Sequence, residues 1–208
     1  MSSTLFTTDD GDVILRAGQG SGSTHDFRVH KYILSLASPI FRNKFALQSP
    51  NHTGQSVIPV VEVPGSPKAL DVLLRFIYPV VECPEADLPT LADLFSIADQ
   101  YNFASIWPFL MKSLKGFLPG DPFAVYTIAC RHLLFEEAVE AARVSTPLSY
   151  LNRDYKEESQ DISETDISRF IHFVHSREDA GRAIIQDVDR WSPLSRISPS
   201  DQHRGYAM

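Results

Sequence analysis

From Asp12 onward the hydrophobic period of the chain changes several times, and each change predicts an element. "DVILRA" (Asp12–Ala17) is a short β-rich run, and "HDFRVH" (His25–His30) alternates apolar Phe27 and Val29 with polar neighbours. The glycine-rich "GQGSGST" between them predicts a hairpin with a flexible loop. After Lys31 the period lengthens. Tyr32, Ile33, Leu34, Leu36 and Ala37 predict a short helix that closes near Ser38, because a residue before proline avoids the α region. The pair Ser38-Pro39 also opens the next helix: serine suits an N-cap, and proline is tolerated at the first helical position. Phe41 and Phe45, one turn apart, then face the core. "SVIPVVEV" (Ser56–Val63) predicts a third strand, with Pro59 pointing to an edge position.

Ser66-Pro67 repeats the cap-and-proline start. It launches a helix with Leu70, Leu73, Leu74 and Ile77 on one face, stopped at Tyr78-Pro79. A fourth helix runs from about Pro89 to Tyr101 with Leu91, Leu94, Phe95 and Ala98 inward. A fifth covers roughly Ser105 to Leu118, burying Leu110, Met111, Leu114 and Phe117. Pro119-Gly120 breaks the pattern. Asp121-Pro122 caps a helix carrying Phe123, Tyr126 and Cys130, and "LFEEAVEAARVS" supplies its antiparallel neighbour. "SYLNRDYKEESQD" reads as a polar loop. Ser163 with Asp166 resembles a capping box for a helix with Ile167, Phe170, Ile171 and Val174, which either continues or breaks around "REDAG" before Ile184 and Ile185. The order β-β-α-α-β-α-α-α predicts an α+β fold: a small three-stranded sheet flanked by about five helices, followed by a short all-α extension. From Ser192 the composition is that of a disordered tail.

Composition adjusts this picture in few places. The 208 residues hold one good-sized domain with an appendage, and 43% hydrophobic residues suffice for a packed core. A net charge of −7 without any Lys/Arg-rich run argues against a nucleic-acid partner. No apolar run reaches the ~18 residues of a membrane span. The N-terminal "MSSTLFTTDDGDVIL" lacks the basic and apolar regions of a secretory signal. The expected location is therefore intracellular, cytoplasmic and/or nuclear. Cys83 and Cys130 read as small buried hydrophobes in a reducing compartment, and the triplet Asn51-His52-Thr53 as an idle glycosylation sequence.

Candidate chemistry concentrates in "FRVHKYILSLASPIFRNKF" (Phe27–Phe45), where His30, Lys31, Ser35 and Ser38 interrupt an apolar run. A serine hydrolase using Ser35 or Ser38 with His30 is the sharpest enzyme reading and the most distant one. No GxSxG elbow accompanies the serines, and helix capping accounts for them. Gly18, Gly20 and Gly22 lack the lysine and following helix of a phosphate loop. His172 and His175 share a predicted helix but have no third ligand in a metal-binding pattern, so they read as exposed or half-buried. Glu136-Glu137 and Glu157-Glu158 are sequence neighbours that diverge by about 100° on a helix, which predicts a solvated face. The sequence thus predicts no enzyme, no cofactor, no metal site and no small-molecule substrate.

The motifs "DVILRA", "FRVHKYILSLASPIFRNKF", "VIPV", "ALDVLLRFIYP" and "LADLFSIADQY", in this order, resemble the BTB/POZ domain over about Gly11 to Leu118. "RVHKYILSLASPIF" with "LLRFIYPV" is most similar in wording to fungal stand-alone BTB proteins. "DPFAVYTIACRHLLFEEAVEAA" resembles the start of the BACK-like helical extension that often follows such domains. The resemblance implies a division into a BTB/POZ domain at 11–118, a helical extension at 119–190 and a tail at 191–208. It also implies a protein-interaction module without catalysis, binding protein partners, forming a homodimer, and in the alternative acting as a substrate adaptor of a cullin-RING ubiquitin ligase. About a dozen residues precede Asp12, which leaves little room for the extra N-terminal helix of many dimeric members. The family's charged pocket falls on Asp12 and Lys31. Its cullin-adaptor motif is not met at the expected Ala86-Asp87-Leu88 or Thr90-Leu91-Ala92, but is met in residue type, with a shift in register, by Cys83-Pro84-Glu85, which marks Glu85.

Overall fold

A computed structural model describes Phe6 and residues 10–18, 24–47, 58–78, 85–146 and 162–191, the last five of these by their backbone alone. Cys83, Glu157, Glu158, Asn51, most of the glycine loop, the start of the third predicted strand, the polar loop and the tail from Ser192 lie outside the described residues.

The sheet has the order β2-β1-β3, built from β1 (Val13–Ala17), β2 (His25–Val29) and β3 (Val60–Glu62). β1 pairs antiparallel with β2, from Val13 opposite Val29 to Ala17 opposite His25, and parallel with β3, where Leu15 lies opposite Val61. Alternation decides which face is core: Val13, Leu15, Ala17, Phe27, Val29 and Val61 are all buried. On the other face Arg16 and Asp26, cross-strand partners, form a two-pronged ion pair at 2.7 and 2.8 Å, which holds the Asp26 carboxyl below its ordinary range. Gly11 precedes β1 where a side chain has no room: a Cβ there would lie 2.7 Å from the Val29 amide nitrogen. β3 is an edge strand, as Pro59 foretells. Its ladder begins only after the proline, although the Pro59 carbonyl already accepts from the Ile14 amide at 2.9 Å.

The helices are α1 (Lys31–Ala37), α2 (Pro39–Leu47), α3 (Pro67–Ile77), α4 (Leu88–Gln100), α5 (Trp107–Gly116), α6 (Pro122–Arg131), α7 (Phe135–Val144) and α8 (Glu164–Trp191). A 3-10 turn, Ala104–Ile106, leads into α5, so the fifth predicted helix starts in a tighter form than expected. One device sets four helix starts. Ser38, Ser66, Asp87 and Asp121 each accept the amide of the residue three further on, and a proline follows within two residues. Three of these starts are expected from the sequence. At Asp87 the helix starts one residue ahead of Pro89. Lys68 and the Thr90 amide hold the Asp87 carboxyl at about 2.

The core runs continuously from the sheet into the helices. Phe41 of α2 stacks on Tyr101 at 4.6 Å and lies 5.9 Å from Phe103, and the Tyr101 hydroxyl donates to the Glu62 carbonyl of β3. α8 docks through Phe170, 5.1 Å from Phe123 and 4.6 Å from Tyr126, while the Tyr126 hydroxyl donates to the Asp166 carbonyl. Half of the capping box forms: Ser163 Oγ accepts from the Asp166 amide at 3.1 Å and itself donates to the Asp166 carboxylate at 2.6 Å. Around "REDAG" the helix continues rather than breaks. Gly181 faces open space, and Arg182 pairs back to Glu178 and Asp179 along the helix. Near Val144, Arg177 of α8 donates to the carbonyls of Ala142 and Ser145, closing the end of α7.

Two expectations fail. Glu137 is not on a solvated face: it is buried, with Lys115 of α5 at 3.6 Å. The divergence of about 100° between neighbours explains it, since it turns Glu136 outward and Glu137 onto the seam with α5. Cys130 is half-buried rather than buried, and that burial pushes its thiol up.

Candidate protein-interaction surface

The α1–α2 corner is built from the polar residues that interrupt the Phe27–Phe45 run. The backbone N–H of His30 donates to the Tyr78 hydroxyl at 2.8 Å, and His30 Nδ1 lies 3.2 Å from the same oxygen. Asp12, at the foot of β1, accepts the Lys31 backbone N–H at 2.7 Å and so caps α1 from another element. Ser35 Oγ donates to the Lys31 carbonyl. Ser38 Oγ, fully buried, donates to the Tyr101 carbonyl and accepts the Phe41 amide at 3.1 Å. Arg42 Nε donates to the Ser35 carbonyl at 3.1 Å, tying α2 back to α1.

These bonds contradict the hydrolase reading. Neither serine hydroxyl is directed at His30, whose ring is engaged by Tyr78. Asp12 and Lys31 are brought together, but through the main chain: the Lys31 ammonium stands 6.0 Å over the Phe45 ring. Asp12→Ala is expected to cost about 1 kcal/mol in chemical denaturation, the ordinary loss of a helix cap, while Asp12→Asn stays near wild type because asparagine also caps. Glu85 is exposed and precedes buried Ala86 and the Asp87 cap, on a different part of the chain. His172 and His175 are both exposed.

What the corner presents outward is apolar. Tyr32 is 73% exposed, Leu36 63% and Ile40 43%, whereas of α1 only Leu34 is buried. Tyr32 and Leu36 lie one turn apart on α1, and Ile40 follows on α2 beyond the break at Ser38. A short helix with apolar residues on more than one face cannot bury all of them against one sheet, so Tyr32 and Leu36 are left exposed. A second row, Leu133, Phe135 and Val139, is exposed on α7 and the turn before it. Among the described residues no group of His, Cys, Asp and Glu could hold a metal ion, and no helix is long and apolar enough to cross a membrane.

The family model of the BTB/POZ domain matches residues 5–117, more than half of the chain. This chain belongs to the BTB/POZ domain family. The small sheet with its helical cluster is the α+β fold of that family, as the motif order implies, and BTB/POZ domains are non-enzymatic protein-interaction modules. Mouse Kelch-like protein 35 is 32% identical over 123 residues, which are 59% of this chain and 20% of that protein. The matched stretch is thus about a fifth of that relative's length. The BTB domain of zebrafish PATZ1 superposes with a TM-score of 0.38 at 22% identity, covering 51% of this chain and 76% of that domain.

Proposed function

We propose that this BTB/POZ protein acts without catalysis as a self-associating scaffold that recruits protein partners, with the α1–α2 corner as its self-contact. The supporting observation is the exposed apolar side chains Tyr32 and Leu36 of α1 and Ile40 of α2, on helices held by Ser38, Arg42 and Asp12. Light scattering of the purified chain at high micromolar concentration is expected to give a dimer. Leu36→Asp should weaken it about tenfold or more, since a buried leucine contributes on the order of 1.5–3 kcal/mol. A strict monomer in the parent chain overturns the reading.

The working division is a BTB/POZ domain at 11–118, a helical extension at 119–190 and a tail at 191–208, in the cytoplasm and/or nucleus. Asp12 and Lys31 are proposed to add recognition to their structural roles. Asp12→Asn, with the cap kept, separates the two: unchanged stability with lost partner binding supports recognition.

A second reading, adaptor for a cullin ubiquitin ligase, is favoured by the exposed Leu133, Phe135 and Val139 beside the BTB/POZ domain and by the match to a Kelch-like protein. The Val80–Asp93 region and the Asp121–Ser145 helices would form the cullin face, of which Val80–Pro84 lie outside the described residues. A pull-down with a cullin N-terminal domain should succeed with the parent chain and be lost with Glu85→Ala. No binding by the parent chain removes this reading.

A further inference from the structure

The helical extension meets the BTB/POZ domain at a seam containing a histidine without a hydrogen bond. His132 follows α6 as its C-cap, and its side chain is only 5% exposed. The ring stacks on Phe95 of α4, centroids 5.2 Å apart and planes 26° from parallel, while Trp107 meets the same Phe95 at a steep angle. Neither Nδ1 nor Nε2 has a hydrogen-bond partner. A buried polar ring is normally satisfied at one nitrogen at least, and mere packing here would be served by an aromatic hydrocarbon.

Two charges face the ring. Asp99 of α4 has Oδ2 3.9 Å from Nδ1 but is 70% exposed, so water weakens its attraction. Arg131, adjacent in the chain, opposes a second positive charge. Burial outweighs both and pulls the imidazole below its ordinary 6.5. The ring anchors a turn already under tension. Leu133 holds φ at 56°, a left-handed conformation that bulky residues rarely adopt, and the Leu134 amide closes the turn on the Ala129 carbonyl at 2.8 Å. Leu133 and Phe135, immediately beyond, are mostly exposed.

We propose that His132 is a proton-operated latch: as a neutral ring it closes the α6–α7 turn onto α4, and taking up a proton in mildly acidic solution releases that turn from the BTB/POZ domain. The direction follows from linkage. The opened turn binds a proton at the ordinary 6.5, the closed one only at lower pH, so closure is full above 6.5 and is lost as pH falls through and below it. Release would reposition Leu133 and Phe135, so a partner docked there would sense pH.

Amide hydrogen exchange of the full chain, corrected for intrinsic rates, tests the latch between about pH 7.5 and 5, the range in which histidines change charge. Amides from Leu134 to Ala141 are expected to lose protection several-fold while those of β1 keep theirs. His132→Phe, which retains the stacked ring, should abolish the loss, and Asp99→Asn, which removes the carboxylate facing the ring, should deepen it. Unchanged protection in the parent chain, equal loss in β1, or an equal loss in His132→Phe overturns the latch. If His132→Phe does not fold, Asp99→Asn decides, and an unaltered acid response overturns it.

Discussion

Phe41→Ala is expected to lower stability by about 3–5 kcal/mol, a large share of what a domain of this size possesses. The side chain is 1% exposed and joins three parts of the fold: α2 on which it sits, Tyr101 at the end of α4, and Phe103 in the following turn. Its removal leaves a cavity walled by Phe45, Tyr101 and Phe103, and Tyr101 is held in place by its own bond to Glu62 and collapses poorly into it. The stack with Tyr101, at 4.6 Å and 12° between planes, adds to the area term. Urea denaturation should show a lower midpoint with an unchanged slope. A loss below about 1 kcal/mol would mean that the site relaxes and that α2 is not pinned there. Because α2 carries Ile40, self-association should fall with stability in this variant, whereas Leu36→Asp should affect association alone.

Ser38→Ala is expected to cost about 2–3 kcal/mol, more than an ordinary cap. One hydroxyl serves two buried main-chain groups, accepting from the Phe41 amide and donating to the Tyr101 carbonyl. Alanine orphans both in a site that water does not enter. Ser66→Ala supplies the comparison. That hydroxyl caps α3 in the same way but is half-buried, so its loss should cost only about 1 kcal/mol. Equal losses in the two variants would show that the Tyr101 bond adds nothing.

The cap-and-proline pairs made helix starts legible because they are local: a serine or aspartate and the amide that donates to it lie three residues apart, within reach of sequence reasoning. The three strands and the inward faces of α3, α4 and α6 were legible for the same reason, through period. What crosses from one element to another was not. Nothing local in "VHK" announces that Tyr78, far along the chain, receives the His30 amide, or that Asp12 caps α1 instead of facing the Lys31 ammonium. Burial of Glu137 and His132 likewise depends on where α5 and α4 lie. The candidate surface was visible only in retrospect, as apolar residues in excess of what one helix face can bury.

Tyr101 has one further consequence, for the rim of the sheet. An edge strand with free carbonyls invites pairing with the edge of another molecule. In β3 the residues that bond to β1 alternate with those directed outward, and the outward Glu62 carbonyl is already occupied by the Tyr101 hydroxyl at 3.2 Å. With three residues in β3, little ladder is left for a foreign strand to read. The aromatic cluster that pins α2 therefore also covers the β3 edge of the sheet against pairing with a foreign strand.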